Sequence, residues 1–183
     1  MPVTTLDPRT ALVVIDLQQG IKAFAPAETF AEVVKKAADL ADAFRARNLP
    51  VVLVNVTGGA PGRNEDPPRT WAFGDDFADL LPELNQQPSD HVVTKKTWGA
   101  FANTGLEAWL KGQGVTQIVL CGVATSIGVE STARAAYDYG FNLTLAVDAM
   151  TDRNADAHAD VITRVFPRLG ETGKTQDIIA LLK

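Results

Sequence analysis

The chain has 183 residues, 46% of them hydrophobic and 21% charged, enough to bury a sizeable core without disulfides or metals and near the size of one domain. A formal net charge of −5, with no stripe of Lys and Arg, argues against a nucleic-acid partner, because phosphate binding needs a concentrated basic face. The single cysteine excludes an internal disulfide and fits a reducing cytoplasm, and Met1 to Asp7 hold no basic region followed by an apolar segment, so neither secretion nor a membrane span is expected.

Strand-like and helix-like segments alternate along the chain. Ala11-Leu12-Val13-Val14-Ile15 is a continuous apolar run ending at Asp16, as a strand covered on both faces should be. From Glu28 to Arg47, Phe30, Val33, Val34, Ala37, Leu40, Ala41 and Phe44 recur at helical spacing. Asn48-Leu49-Pro50 breaks that helix, and Val51 to Val56 is the second buried strand. Thr57 to Arg69, rich in Gly and Pro, is a long surface loop, of the kind that is functional or mobile in a compact domain. His91 to Thr94 is a short strand ending at Lys95, and Thr104 to Lys111 is a helix closed by Gly112 and Gly114. Ile118 to Cys121 is the next strand, Ser126 to Tyr139 the helix after it, and Leu143 to Val147 a fifth strand ending at Asp148. Helices over about Ala155 to Phe166 and Thr175 to Leu182 complete the chain, with room for a short edge strand between them.

This alternation predicts an α/β fold, a doubly wound (Rossmann-like), mainly parallel sheet of five to six strands with helices on both faces. With no internal repeat or linker, residues 1–183 form one domain. In a parallel sheet the C-terminal ends of the strands share one edge, where active sites of open α/β sheets lie. Asp16, Lys95 and the turn from Ala124 to Gly128 are therefore expected to meet there, however far apart they stand in sequence.

The run Val119-Leu120-Cys121-Gly122-Val123-Ala124-Thr125-Ser126-Ile127-Gly128 resembles the strand-to-helix motif of the isochorismatase-like hydrolases, the cysteine hydrolase superfamily. Val13-Val14-Ile15-Asp16-Leu17-Gln18 is similar to that family's first-strand motif with its acidic residue, and Lys95, six residues before Phe101, matches the family's lysine in spacing. The resemblance covers Thr10 to about Thr151. It places the family's nucleophilic cysteine at Gly128, whereas Cys121 lies seven residues earlier, inside the apolar strand. The resemblance also implies a cis peptide between Val123 and Ala124 and a homodimer or higher homo-oligomer.

Without a thiol at residue 128, the family's covalent route is closed, and Thr125 and Ser126 have no histidine within the motif to activate them. The resemblance then implies the branch with glycine at this place, which cleaves a vinyl ether without a covalent intermediate. Asp16 handles the proton, Lys95 supplies positive charge, and backbone N–H groups after Ala124 hold a developing oxyanion. Gly128 leaves space beside them. Arg69, after Ala60-Pro61-Gly62, resembles the arginine that binds a substrate carboxylate. The expected catalytic set is Asp16, Lys95 and Gly128, and the substrate-binding set is Gln18, Phe24, Arg69, Trp98, Ala124, Thr125 and Ser126. The expected ligand is a small carboxylated or carbonyl molecule. Amide or ester hydrolysis by Asp16-activated water and a non-catalytic binding role are the alternatives.

No cofactor is expected, and no metal. The loop after the second strand lacks the acidic residue and paired histidines of a zinc site, and His91 and His158 stand far apart in sequence. Asp152-Arg153-Asn154-Ala155-Asp156 lacks the glycine and distal glutamate of a calcium loop and reads as the first turn of a helix. Cys121 reads as a small buried hydrophobe. Trp71, Phe73 and Trp98 either line the pocket or plug the core.

Overall fold

A computed structural model describes residues 2–65 and 74–183. Its sheet has six strands: β1 (Thr10–Ile15), β2 (Val51–Val56), β3 (His91–Lys95), β4 (Gln117–Val123), β5 (Asn142–Thr151) and β6 (Glu171–Gly173). All pair in parallel, in the order β3-β2-β1-β4-β5-β6. The chain winds outward from β1 to β3, then returns to the other side of β1 and winds outward again. The order therefore reverses between β1 and β4, and a crevice opens beyond their C-terminal ends.

Successive strand residues face opposite sides of the sheet, so the unbroken apolar runs supply two cores. Leu12, Val14, Leu53, Val119 and Cys121 pack with α1 (Ala27–Arg45), while Ala11, Val13, Ile15, Val54, Ile118 and Leu120 pack with α2 (Leu106–Gly112) and α3 (Glu130–Asp138). Helix α1 buries the seven apolar positions its spacing predicts, each such Val, Leu or Phe stabilising the fold by about 1.5–3 kcal/mol. It stops where Asn48 turns left-handed at φ 55°, and the Leu49 N–H bonds back to Phe44 O at 3.0 Å. Among the described residues no helix is long and apolar enough to cross a membrane.

Several elements differ from their sequence-based bounds, most by a residue or two at an end, and four differ for reasons visible in the fold. The fifth strand runs past Asp148 to Thr151, because β5 bulges: Leu120 pairs with Leu145 and Gly122 with Met150. Asp148 is thereby turned aside and accepts hydrogen bonds from Thr175 N and Oγ1 at the start of α5 (Thr175–Leu181). The helix predicted from Ser126 opens instead as a wide π turn, Thr125–Val129, before α3. The helix predicted over 155–166 is α4 (Ala155–Asp160), followed by a second π turn, Val161–Val165, and a 3-10 turn, Phe166–Arg168. Pro167, lacking an N–H, cannot continue the α ladder. The helix predicted from Thr104 starts at Leu106 because Gly105 is left-handed, with φ 75°. The predicted edge strand is β6, and the stretch 57–65 after β2 forms no regular element.

Candidate active site

Asp16 is the first residue beyond β1. Its N–H still bonds to Val54 O of β2 at 2.9 Å, but its φ of 52° turns the chain left-handed, a conformation that aspartate tolerates better than most residues. Lys95 ends β3, two strands away. Its side chain crosses beneath the crevice, and Nζ donates to Asp16 Oδ2 at 2.7 Å and to Thr97 O at 3.1 Å. The lysine is 2% exposed and the aspartate 7%. Burial raises the Asp16 carboxyl, Lys95 pulls it down, and burial wins, leaving it at about 6. Asp16 Oδ1 is buried and has no hydrogen-bond partner among the described residues.

The third wall is the turn after β4. Gly122, at φ 114°, lies so close to β1 that a side chain there would overlap Ile15 O, which explains the glycine. The Val123–Ala124 peptide is cis, as the motif implies. In the wide turn that follows, the Ile127 and Val129 N–H groups both bond to Ala124 O, and Ser126 N–H bonds to Asp152 Oδ2 at 2.8 Å. These three donors are thus committed within the fold, and the oxyanion role expected of the N–H groups after Ala124 does not fall to them.

The walls enclose a cavity of about 710 Å3. Of the residues singled out in the sequence, Asp16, Lys95, Gly128, Phe24, Trp98 and Ala124 line it. Trp98 stands at its edge, 64% exposed, so it does not plug the core. Gln18, Thr125 and Ser126 turn elsewhere. Gln18 Nε2 donates to Val56 O and Phe77 O, and its Oε1 accepts from Val56 N, so the side chain clips the segments that follow β1 and β2 to each other. Thr125 is fully buried and shares a 2.8 Å hydrogen bond with His158 Nδ1 on α4. Ser126 Oγ donates to Asp152 Oδ2 at 2.7 Å. Burial lowers the His158 pKa, against the pull of Asp152. Arg69, Trp71 and Phe73 lie outside the described residues.

Two features were missed. The loop Gly58-Gly59-Ala60-Pro61-Gly62 forms one cavity wall and brings Arg63 and Asn64 to it; the run of glycines marks the loop, but nothing in its sequence says that Arg63 lines the cavity. The tethers Asp152 and His158 were also missed, because their partners lie 26 and 33 residues away. Cys121 is completely buried on the α1 side of the sheet, and burial and Asp148 push its thiol far up. A separate hollow of about 390 Å3 on the outer face of α1 is lined mainly by apolar residues such as Phe30, Val34 and Leu81. Its Lys35 and Asp39 pair with each other.

Residues 10–177 match the isochorismatase domain family. The chain is 41% identical over 182 residues to YecD, an uncharacterized isochorismatase family protein of Escherichia coli O157:H7, with 94% of this chain and 96% of that protein covered. It is similar to the structure of an isochorismatase family protein from Burkholderia thailandensis, with TM-score 0.92, 41% identity and 97% of each chain covered. N-carbamoylsarcosine amidase from Thermoplasma acidophilum is similar at TM-score 0.75 and 27% identity, over 91% of this chain and 96% of that one.

Proposed function

The chain belongs to the isochorismatase family of hydrolases, and from that premise we propose that it hydrolyses a small carboxylated or carbonyl substrate without a covalent intermediate, with Asp16 carrying the proton. The supporting observation is the buried Asp16–Lys95 pair beside Gly128 in a cavity without a thiol among its described lining residues. Thr97 is the one hydroxyl among those residues, and its Oγ1 donates to Gly99 O. By the resemblance, the nucleophilic cysteine of thiol members would stand at residue 128. Glycine there removes covalent acyl transfer and leaves acid–base chemistry.

Vinyl-ether hydrolysis suits a carboxyl lifted to about 6, because such a group keeps a protonated fraction at neutral pH and can protonate carbon. Asp16 gives its proton to the methylene carbon of the enol ether. The adjacent carbon becomes an oxocarbenium centre, and water adds there. Lys95 stabilises the carboxylate that forms. Asp16 and Lys95 cancel in charge, whereas Arg63, exposed on the cavity wall, has no ion-pair partner among the described residues. A substrate carboxylate would find its counter-charge at Arg63.

The test is pyruvate release from isochorismate by the wild type beside Asp16→Asn, read through lactate dehydrogenase. Pyruvate from the wild type and none from the variant is the expected result; none from either rejects vinyl-ether hydrolysis of this substrate. The similarity to an amidase favours a second reading, in which ionised Asp16 activates water for attack on an amide. Its rate would rise with pH through about 6, the opposite sign to the acid mechanism.

A further inference from the structure

The turn Thr125–Val129 packs directly against the acid. A side chain begun at residue 128 would set its first carbon 3.3 Å from Asp16 Oδ2 and 3.0 Å from Ile15 Cγ2, so close that the glycine itself covers the carboxyl on that side. Val123, Ala124, Ile127 and Gly128 form this wall of the cavity, and none carries a charge. The charged side chains described on the cavity wall beside Asp16 are Lys95 on β3 and Arg63 on the loop after β2. The turn therefore acts on Asp16 by keeping water away, and burial is the larger of the influences on that carboxyl.

The turn is held from outside. Thr132 Oγ1 donates to Gly128 O at 2.7 Å, but Thr132 lies on α3 and moves with the turn. Ser126 is fixed to Asp152, beyond β5. Thr125 has a fully buried hydroxyl, and among the described residues its one hydrogen-bond partner is His158 Nδ1, at 2.8 Å. His158 lies on α4, 33 residues further along the chain, and stands behind the cavity wall rather than in it.

We propose that His158 is a positioning residue, which through the Thr125 hydroxyl clamps the turn onto Asp16 and so fixes where the acid meets its substrate and keeps it dry. This deepens the reading of Asp16 as the proton carrier and rests on it. Without the imidazole, a fully buried hydroxyl loses its partner, the turn is released from the carboxyl, and water reaches Asp16. A displacement of about 1 Å between the acid and the carbon it protonates is enough to cost about 100-fold in rate. Wetting the carboxyl also removes part of the burial that raises it while Lys95 still pulls it down, so its titration moves from about 6 toward 3.8. Removal of Lys95 moves it the opposite way, which separates the two effects by sign.

The test compares the wild type with His158→Leu, His158→Asn, Thr125→Val and the double variant His158→Leu/Thr125→Val on isochorismate. Asparagine sets an amide where the imidazole has its Nδ1 edge and can keep the bond to Thr125, whereas leucine cannot. His158→Leu should lower kcat about tenfold or more and move the falling limb of kcat/KM to lower pH. His158→Asn should recover most of the lost rate. The double variant should lose no more than the larger single loss, because both changes break one contact. A histidine that only supports the fold would lower the Tm and leave kcat and the limb where they are; that result overturns the proposal, as does full additivity of the two losses. Thr125→Val, which exchanges a hydroxyl for a methyl of the same shape, decides alone should His158→Leu fail to fold. If the wild type does not act on isochorismate, the substrate reading fails by itself, and the clamp is judged on the Asp16 carboxyl followed by 13C NMR. A midpoint lowered in His158→Leu and in Thr125→Val supports the clamp, and an unchanged one refutes it.

Discussion

At Asp16 burial and a neighbouring cation oppose each other, and burial is the larger, so the carboxyl titrates near 6 although a lysine sits 2.7 Å away. The sign of the pH dependence follows. A general acid must be protonated in the free enzyme, so kcat/KM for vinyl-ether hydrolysis is expected to fall as pH rises through about 6. Lys95→Met removes the cation that favours the carboxylate, so the same limb should move to higher pH while the maximal rate drops; a pH–rate series on both proteins checks this. Because the folded group binds its proton more tightly than a free aspartate, its contribution to stability is greatest below the ordinary value of 3.8 and is lost as pH rises through about 6. Arg63 belongs to the same scale. Arg63→Gln is expected to raise KM for a carboxylated substrate about tenfold while leaving kcat nearly unchanged, since it removes binding common to ground and transition states.

The turn between β4 and α3 is the element on which the site depends. Its Ile127 and Val129 N–H groups close onto Ala124 O, and its side chains anchor it to the segment after β5, Ser126 to Asp152 and Thr125 to His158. Asp152 also accepts from Asn154 N, while Asn154 caps α4 through the Asp156 and Ala157 N–H groups. Truncating Asp152 to Ala leaves both Ser126 donors without their acceptor and should cost about 1.5–3 kcal/mol, measurable as a lower urea midpoint at unchanged slope. Gly122→Ala should be far more damaging. A methyl there would collide with the β1 backbone at a positive φ, so little folded protein should accumulate, as circular dichroism of the soluble fraction would show.

For the molecule as a whole, the sheet separates the lone thiol from the chemistry. Cys121 belongs to the core on the α1 side, fully buried and held in its neutral form, and thiolate character is what alkylating reagents require. Iodoacetamide applied to the folded enzyme should leave its activity intact, and mass spectrometry should find Cys121 unmodified until the protein is unfolded. Activity lost together with Cys121 alkylation in the native state would contradict this. The chain as a whole carries a net charge of −5, yet the charged residues described on the cavity wall are Asp16, Lys95 and Arg63, a local excess of one positive charge. Such a field concentrates anions at the crevice.

Asp16 and Lys95 could be placed from the sequence because each follows a strand-like segment, the long apolar run before Asp16 and the short His91–Thr94 stretch before Lys95, and a parallel sheet brings all such ends to one edge whatever their separation along the chain. The two-sided burial of β1, β2 and β4 was legible for a related reason: alternate residues must satisfy opposite faces, so an unbroken apolar run states that both faces are covered. Gln18, Thr125 and Ser126 show where local reading stops. Each sits in the right segment, but where its polar atoms point is decided by Val56, Phe77, His158 and Asp152, partners supplied by other elements. The β5 bulge and the widened turn are likewise matters of register and closure, where neighbouring segments must share hydrogen bonds that no single segment encodes. The sequence by itself determined the order of the elements and the residues at the strand ends, through hydrophobic periodicity. Only the tertiary structure decided which side chains enter the cavity, because that depends on which buried polar groups find partners across the fold.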